Sequence, residues 1–103
     1  MVEIVTEGNF KEFVKEGIVV VDCFASWCPP CQMLVPVIEK LAQDFPGIKF
    51  GKCDTDECQA VCDTYEIKSI PNILVFKDGN LIEQIVGFYP EEDLKGYFTE
   101  LTA

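Results

Sequence analysis

The segment Ile18 to Ala25 constrains the fold more than any other. It reads Ile-Val-Val-Val-Asp-Cys-Phe-Ala, apolar and largely β-branched, with Asp22 as its one charged residue. Such a run is expected of a strand buried on both faces, and a strand of that kind needs other elements packed above and below it. The flanking segments can supply them. Met1 to Val5 reads as a short strand, and Asn9 with Glu12 three positions on predicts a capping box at the start of a first helix. Phe10, Phe13 and Val14 give that helix an apolar stripe, and Gly17 is placed to stop it. A longer helix is expected after the buried run, with Leu34, Val37, Ile38, Leu41, Ala42 and Phe45 at helical spacing. Pro36 inside it removes one amide and is expected to kink it, and Pro46-Gly47 ends it.

Ile48 to Cys53 reads as a further strand and Asp56 to Tyr65 as a short helix. Asn72 to Lys77 and Leu81 to Val86 flank Asp78-Gly79, a hairpin signal. Pro90 and Glu91-Glu92-Asp93 open a last helix carrying Leu94, Tyr97, Phe98 and Leu101 at i, i+3, i+4 and i+7. The order β-α-β-α-β-α-β-β-α predicts one α/β domain over residues 1–103, a central mixed β-sheet flanked by helices on both faces. A purely parallel dinucleotide-binding sheet has no place for the hairpin, and no glycine-rich phosphate loop is present. Nucleotide binding is not expected.

Charge narrows the partners. Eight Lys and Arg against eighteen Asp and Glu leave a net charge of −10 with no basic run, so nucleic acid and anionic membrane are not expected to bind. No apolar stretch approaches the ~20 residues that span a bilayer. Glu3, Glu7, Lys11, Glu12, Lys15 and Glu16 precede the first apolar cluster, which no secretory signal tolerates. A soluble, cytoplasmic protein is the expectation.

Cysteine is the compositional outlier. Six residues, Cys23, Cys28, Cys31, Cys53, Cys58 and Cys62, are many for 103 positions. With 49% apolar residues the chain can build a core without disulfide staples, so closely spaced cysteines point to redox chemistry or metal binding. Cys28-Pro29-Pro30-Cys31 lies between the buried strand and the long helix. A thiol at a helix start is favoured as its anion by the amides and the macrodipole. Cys28 is therefore expected to be the better-exposed attacking thiolate, and Cys31, within the first turn, the shielded thiol that resolves a mixed disulfide. The alternative is a four-thiolate zinc site from Cys28, Cys31, Cys58 and Cys62. Cys58 and Cys62 read instead as core positions, completing an apolar stripe with Val61 and Tyr65, with a regulatory disulfide as their alternative.

Over essentially its whole length the chain resembles the thioredoxin family. The matching residues are Asp22-x-x-Ala25-x-Trp27-Cys28-x-Pro30-Cys31, Pro36, Lys52, Ile70-Pro71, Gly79 and Gly87. Pro29 stands where glycine is commonest, a Cys-Pro-Pro-Cys version similar to that of some plant cytosolic h-type members, and Phe24 stands where many carry a second tryptophan. The resemblance implies the thioredoxin fold and a protein-disulfide oxidoreductase. It implies Asp22 as the proton-transfer group for Cys31, with Lys52 as its electrostatic neighbour. An ionised carboxylate in an apolar strand is costly, so a carboxyl pushed towards neutrality suits that task. Trp27, Pro30, Ile70, Pro71 and Gly87 are implied to form a shallow substrate groove, with Pro71 cis and the Ile70 backbone pairing with an extended segment. The implied partners are disulfide-containing proteins and a thioredoxin reductase, an NADPH-dependent flavoprotein. No metal or organic cofactor is called for, and a monomer is expected.

Overall fold

Alternation of buried strand and amphipathic helix produces the layers expected of it. A computed structural model describes all residues from Met1 to Ala103. In chain order the elements are β1 (Val2–Ile4), α1 (Phe10–Phe13), β2 (Ile18–Phe24), α2 (Pro29–Asp44), β3 (Lys49–Asp54), α3 (Gln59–Thr64), β4 (Asn72–Lys77), β5 (Asn80–Val86) and α4 (Glu91–Leu101). The sheet order is β1-β3-β2-β4-β5, with β2 and its apolar run at the centre. Strand β3 pairs in parallel with β1 and β2, whereas β4 runs antiparallel to β2 and β5. The sheet is mixed, as the hairpin requires. Asp78 (φ 51°) and Gly79 (φ 87°) both take positive φ in the tight turn.

Side-chain alternation along the strands divides the core in two. Val19, Val21, Cys23, Cys53, Leu74 and Phe76 pack under Phe10, Phe13 and Val14 of the α1 region and Val61 of α3. On the opposite face Val20, Phe50, Ile73 and Val75 meet Leu34, Ile38, Leu41 and Ala42 of α2 and Leu94 and Phe98 of α4. Asp22 is on β2 in phase with Val20, so its carboxyl points into the α2 layer. No helix is long and apolar enough to cross a membrane.

Several local expectations are corrected. Asn9 does precede α1, but its side chain makes no cap bond to the helix. Its Oδ1 accepts the Thr6 amide at 2.8 Å, while the Asn9 amide donates to Thr6 Oγ1 at 3.2 Å. Helix α1 ends at Phe13, and Gly17 (φ 72°) serves the following turn rather than the helix end. Helix α3 starts at Gln59, not Asp56, because the Asp54 side chain accepts the Asp56 amide at 2.9 Å and holds the intervening residues in a turn. Cys58 is fully in the core, but Cys62 is only half-buried, so the paired core assignment holds for one of the two.

Gly51 marks the closest approach between sheet and helix. A Cβ added there would lie 2.5 Å from Val5 Cγ2 and 2.7 Å from Phe13 Cε2. Gly51→Ala is therefore expected to cost about 1–3 kcal/mol of stability through overpacking. An unchanged urea midpoint for that variant would show that Phe13 has room to withdraw.

Candidate functional site

The site is assembled where β2 hands over to α2. Ala25, Cys28 and Cys31 form a small buried cluster, with Phe24 and Ile70 packed against it. Cys28 is the N-cap of α2, with extended backbone (φ −101°, ψ 109°), and Pro29 and Pro30 occupy the first two helical positions. Prolines fit there because those amides have no intrahelical partner. They also leave Cys31 as the first residue of the helix with an amide to donate. That amide points to Cys28 Sγ, 3.3 Å away. The sulfur thus takes the place that a serine or aspartate oxygen takes in an ordinary N-cap, where an accumulating negative charge is stabilised.

Cys28 is less open than expected, whereas Cys31 is shielded as its place in the first turn implies. Cys28 is 5% exposed and Cys31 1%. Cys28 retains the greater access, but it lies beside the Ile70 carbonyl, with Sγ 3.9 Å from that oxygen, and is not an openly exposed thiol. Burial pushes the Cys31 thiol well up, with further pushes from its hydrogen bond to Cys28 and from the Asp22 carboxylate. The two thiols are therefore unequal in setting, which is what a directional exchange requires.

Asp22 is 4% exposed, and its Oδ1 has no hydrogen-bond partner. Burial raises its pKa from 3.8 to about 7, against a downward pull from the Lys52 ammonium. Lys52 is its register partner across β2 and β3. A cavity of about 20 Å³ lies between them, bounded also by Val2, Val35, Ile38 and Glu39. That volume accommodates about one water molecule.

Around the thiols, Trp27 is 67% exposed, and its indole Nε1 donates to Asp56 Oδ2 at 2.9 Å. Asp56 did not stand out in the sequence, because 29 positions separate it from Trp27. The Ile70–Pro71 bond is cis. The Gly87 amide donates to the Pro71 carbonyl at 2.8 Å with φ 97°, joining the end of β5 to the start of β4. Ile70 is half-buried, Pro71 buried and Pro30 exposed. Phe88 and Tyr89, directly after Gly87, are exposed aromatics that no sequence pattern singled out. The other cysteines sit elsewhere: Cys58 belongs to the α1/α3 layer, so the four thiols considered for zinc do not form one set. A surface concavity of about 960 Å³ between α1 and α3 contains none of the residues around the dithiol.

A mixed five-stranded sheet with a cysteine pair at the start of its longest helix defines a thiol–disulfide oxidoreductase. Comparison with known proteins agrees. The family model described as Thioredoxin matches residues 1–100. The chain is 45% identical over 94 residues to the thioredoxin of Chlamydia pneumoniae, covering 91% of this chain and 92% of that protein. It is 44% identical over 91 residues to the thioredoxin of Staphylococcus aureus, covering 87% and 88%. Among solved structures, a chain from a study of thiol resolution in yeast mitochondrial 1-Cys peroxiredoxin via glutathione/thioredoxin systems superposes with a TM-score of 0.84. That match has 34% identity and covers 92% of each chain. The chain belongs to the thioredoxin family, whose members are protein-disulfide oxidoreductases reduced in turn by a reductase.

Because Trp27 is the only tryptophan and adjoins Cys28 in sequence, its emission is expected to report the redox state. A disulfide beside the indole quenches it, so the oxidised protein should be the dimmer form. Superimposable spectra for the two states would refute the proximity.

Proposed function

We propose that this chain is a protein disulfide reductase acting through Cys28 and Cys31. Cys28 attacks a substrate disulfide: the bond to one substrate sulfur forms, the substrate S–S bond breaks, and the leaving sulfur takes up a proton. Cys31 yields its proton to the Asp22 carboxylate and attacks Cys28 Sγ. The second substrate sulfur leaves as a thiol, and the protein is left with a Cys28–Cys31 disulfide. The observation that carries this reading is the Cys31 amide directed at Cys28 Sγ across 3.3 Å at the start of α2. A carboxyl that titrates near pH 7 supports Asp22 as the proton acceptor, and Lys52 holds its charge in balance.

Trp27, Pro30, Ile70, Pro71 and Gly87 form the landing surface for an extended substrate segment. An extended landing surface of this kind suits protein disulfides rather than a small molecule enclosed in a pocket. A thioredoxin reductase, an NADPH-dependent flavoprotein, restores the dithiol. The Cys-Pro-Pro-Cys sequence aligns the protein with plant h-type members in its motif. We place it in the cytoplasm as a monomer, with residues 1–103 as one domain. No metal or organic cofactor enters the exchange.

The deciding experiment equilibrates the couple with glutathione redox buffers and follows insulin reduction in the same preparation. A reductase shows a potential below that of the glutathione pool and precipitates insulin chains. A couple as oxidising as dedicated disulfide-forming enzymes would reverse the direction of the proposed reaction.

A further inference from the structure

Strand β4 opens with a residue that breaks its pattern. Ile73, Leu74, Val75 and Phe76 are apolar and fully buried, but Asn72 before them is an amide with only 3% exposure. Its backbone is in register with Cys23 of β2 on one side and Val86 of β5 on the other, so the residue is fixed in the sheet. The side-chain Oδ1 has no hydrogen-bond partner. A buried acceptor left unpaired costs stability that an apolar side chain of the same shape would not. The other half of the amide is engaged: Nδ2 donates to the Ser69 carbonyl, 3.4 Å away. At that length the bond supplies direction more than strength.

Direction matters because of what shares that peptide unit. Ser69 and Ile70 are joined by a trans bond, in which C=O and N–H point to opposite sides. Drawing the Ser69 carbonyl in towards Asn72 therefore turns the Ile70 N–H away from the core. No backbone carbonyl accepts that N–H. On the other side of Ile70, the Pro71 carbonyl is already taken by the Gly87 amide at 2.8 Å. The Ile70 carbonyl itself lies 3.9 Å from Cys28 Sγ and accepts its thiol, a hydrogen that Cys28 gives up on ionising. The carbonyls before and after Ile70 are thus tied down, while its own N–H and C=O are left for an extended segment that reaches Cys28.

We propose that Asn72 is a positioning residue of the substrate groove: its side-chain amide holds the Ser69 carbonyl inwards and so presents the Ile70 N–H to the backbone of an incoming substrate. The inference rests on the disulfide-reductase reading and adds to it a residue that takes no part in the exchange of sulfurs. Without the side-chain amide the Ser69–Ile70 peptide unit is free to rotate, and the donor is turned away part of the time. A protein substrate held through its main chain registers that loss in KM. A small disulfide without a peptide backbone does not. The chemistry at the sulfurs is the same for both, so kcat is not the quantity that changes.

The test compares the unaltered full-length chain with Asn72→Leu and Asn72→Ala. Leucine keeps the approximate shape of the amide and removes both the donor and the unpaired acceptor, so that variant separates positioning from packing. Each protein is assayed with insulin and with dithiobisnitrobenzoate. Both variants should raise KM for insulin roughly threefold to tenfold, the worth of one hydrogen bond, with little change in kcat. Rates with the small disulfide should match those of the unaltered protein. An unchanged KM for insulin overturns the assignment while leaving the reductase reading intact. So does an equal loss with both substrates, the mark of a general structural defect. An unaltered protein that reduces neither substrate overturns the reductase reading, and this inference with it. Hydrogen exchange with Asn72 in place covers the case in which neither variant folds. In Cys31→Ser the Ile70 amide should exchange freely, and it should slow roughly tenfold or more once a disulfide-linked peptide is trapped on Cys28. An Ile70 amide that is slow without the peptide, or unaltered by it, overturns the presentation of that N–H.

Discussion

Cys28→Ser is expected to reduce disulfide reduction to the uncatalysed background, while Cys31→Ser accumulates covalent mixed disulfides with substrate. The two variants differ although the sulfurs are neighbours, because their settings differ. Cys28 Sγ receives the Cys31 amide and has the greater access. Cys31 is held protonated by burial and by its bond to Cys28, and its burial keeps an incoming protein substrate away. On the proposed mechanism attack falls to Cys28 and resolution to Cys31, and deleting the resolving group is expected to halt the cycle with substrate attached. The measurement is non-reducing mass spectrometry after incubation with a disulfide substrate. Trapped complexes in Cys28→Ser, joined through Cys31, would reverse the assignment.

Asp22→Asn should have the largest effect on stability, and in the favourable direction. The carboxyl has an ordinary pKa of 3.8 and one of about 7 in the folded protein, raised by burial. Between those values the folded chain holds a proton that the unfolded chain has lost, so stability falls as pH rises through that window. Above it the buried carboxylate costs on the order of 4 kcal/mol. The replacement amide never ionises, so the variant should be more stable than the parent by roughly that amount at pH 8 and equal to it near pH 4. Urea unfolding at the two pH values reads the difference directly. The same variant should release substrate from mixed disulfides more slowly at neutral pH, since it removes the proton acceptor proposed for Cys31, while the first attack is nearly unaffected. A stability gain that is the same at both pH values would mean that ionisation is not its source, and an unchanged second step in stopped-flow would remove Asp22 from proton transfer.

Much of this was legible because it is written in local patterns. The β-branched run at Ile18–Phe24, the helical stripe from Leu34 to Ala42 and the Asp78-Gly79 turn each carry their own periodicity or turn chemistry, and all three elements appear as expected. The placement of the Cys28–Cys31 pair at the start of α2 was legible for the same reason, since it depends on spacing within four residues. What failed depended on choices between equivalent local partners. Asn9 bonds backwards to Thr6 instead of forwards into α1, and the Asp54 side chain delays α3 by three residues. What escaped altogether was non-local. Asp56 bonds to Trp27 from 29 positions away, and Cys62 is only half-buried, neither of which a one-dimensional pattern encodes. The roles of Asp22, Lys52 and the groove residues came from resemblance; burial adds the reason that Asp22 can act near neutral pH.

Two consecutive prolines open the helix that bears the thiols. Each fixes φ near −65°, so the segment between the cysteines has little conformational freedom to lose on folding and little to recover afterwards. Closing or opening a bond between Cys28 and Cys31 is then chiefly a rearrangement of two side chains on a stationary frame. A carrier built in this way presents nearly the same backbone surface whether it is loaded or empty. Its partners must therefore distinguish the two states by the sulfurs and the charge at the helix start, not by a change of shape.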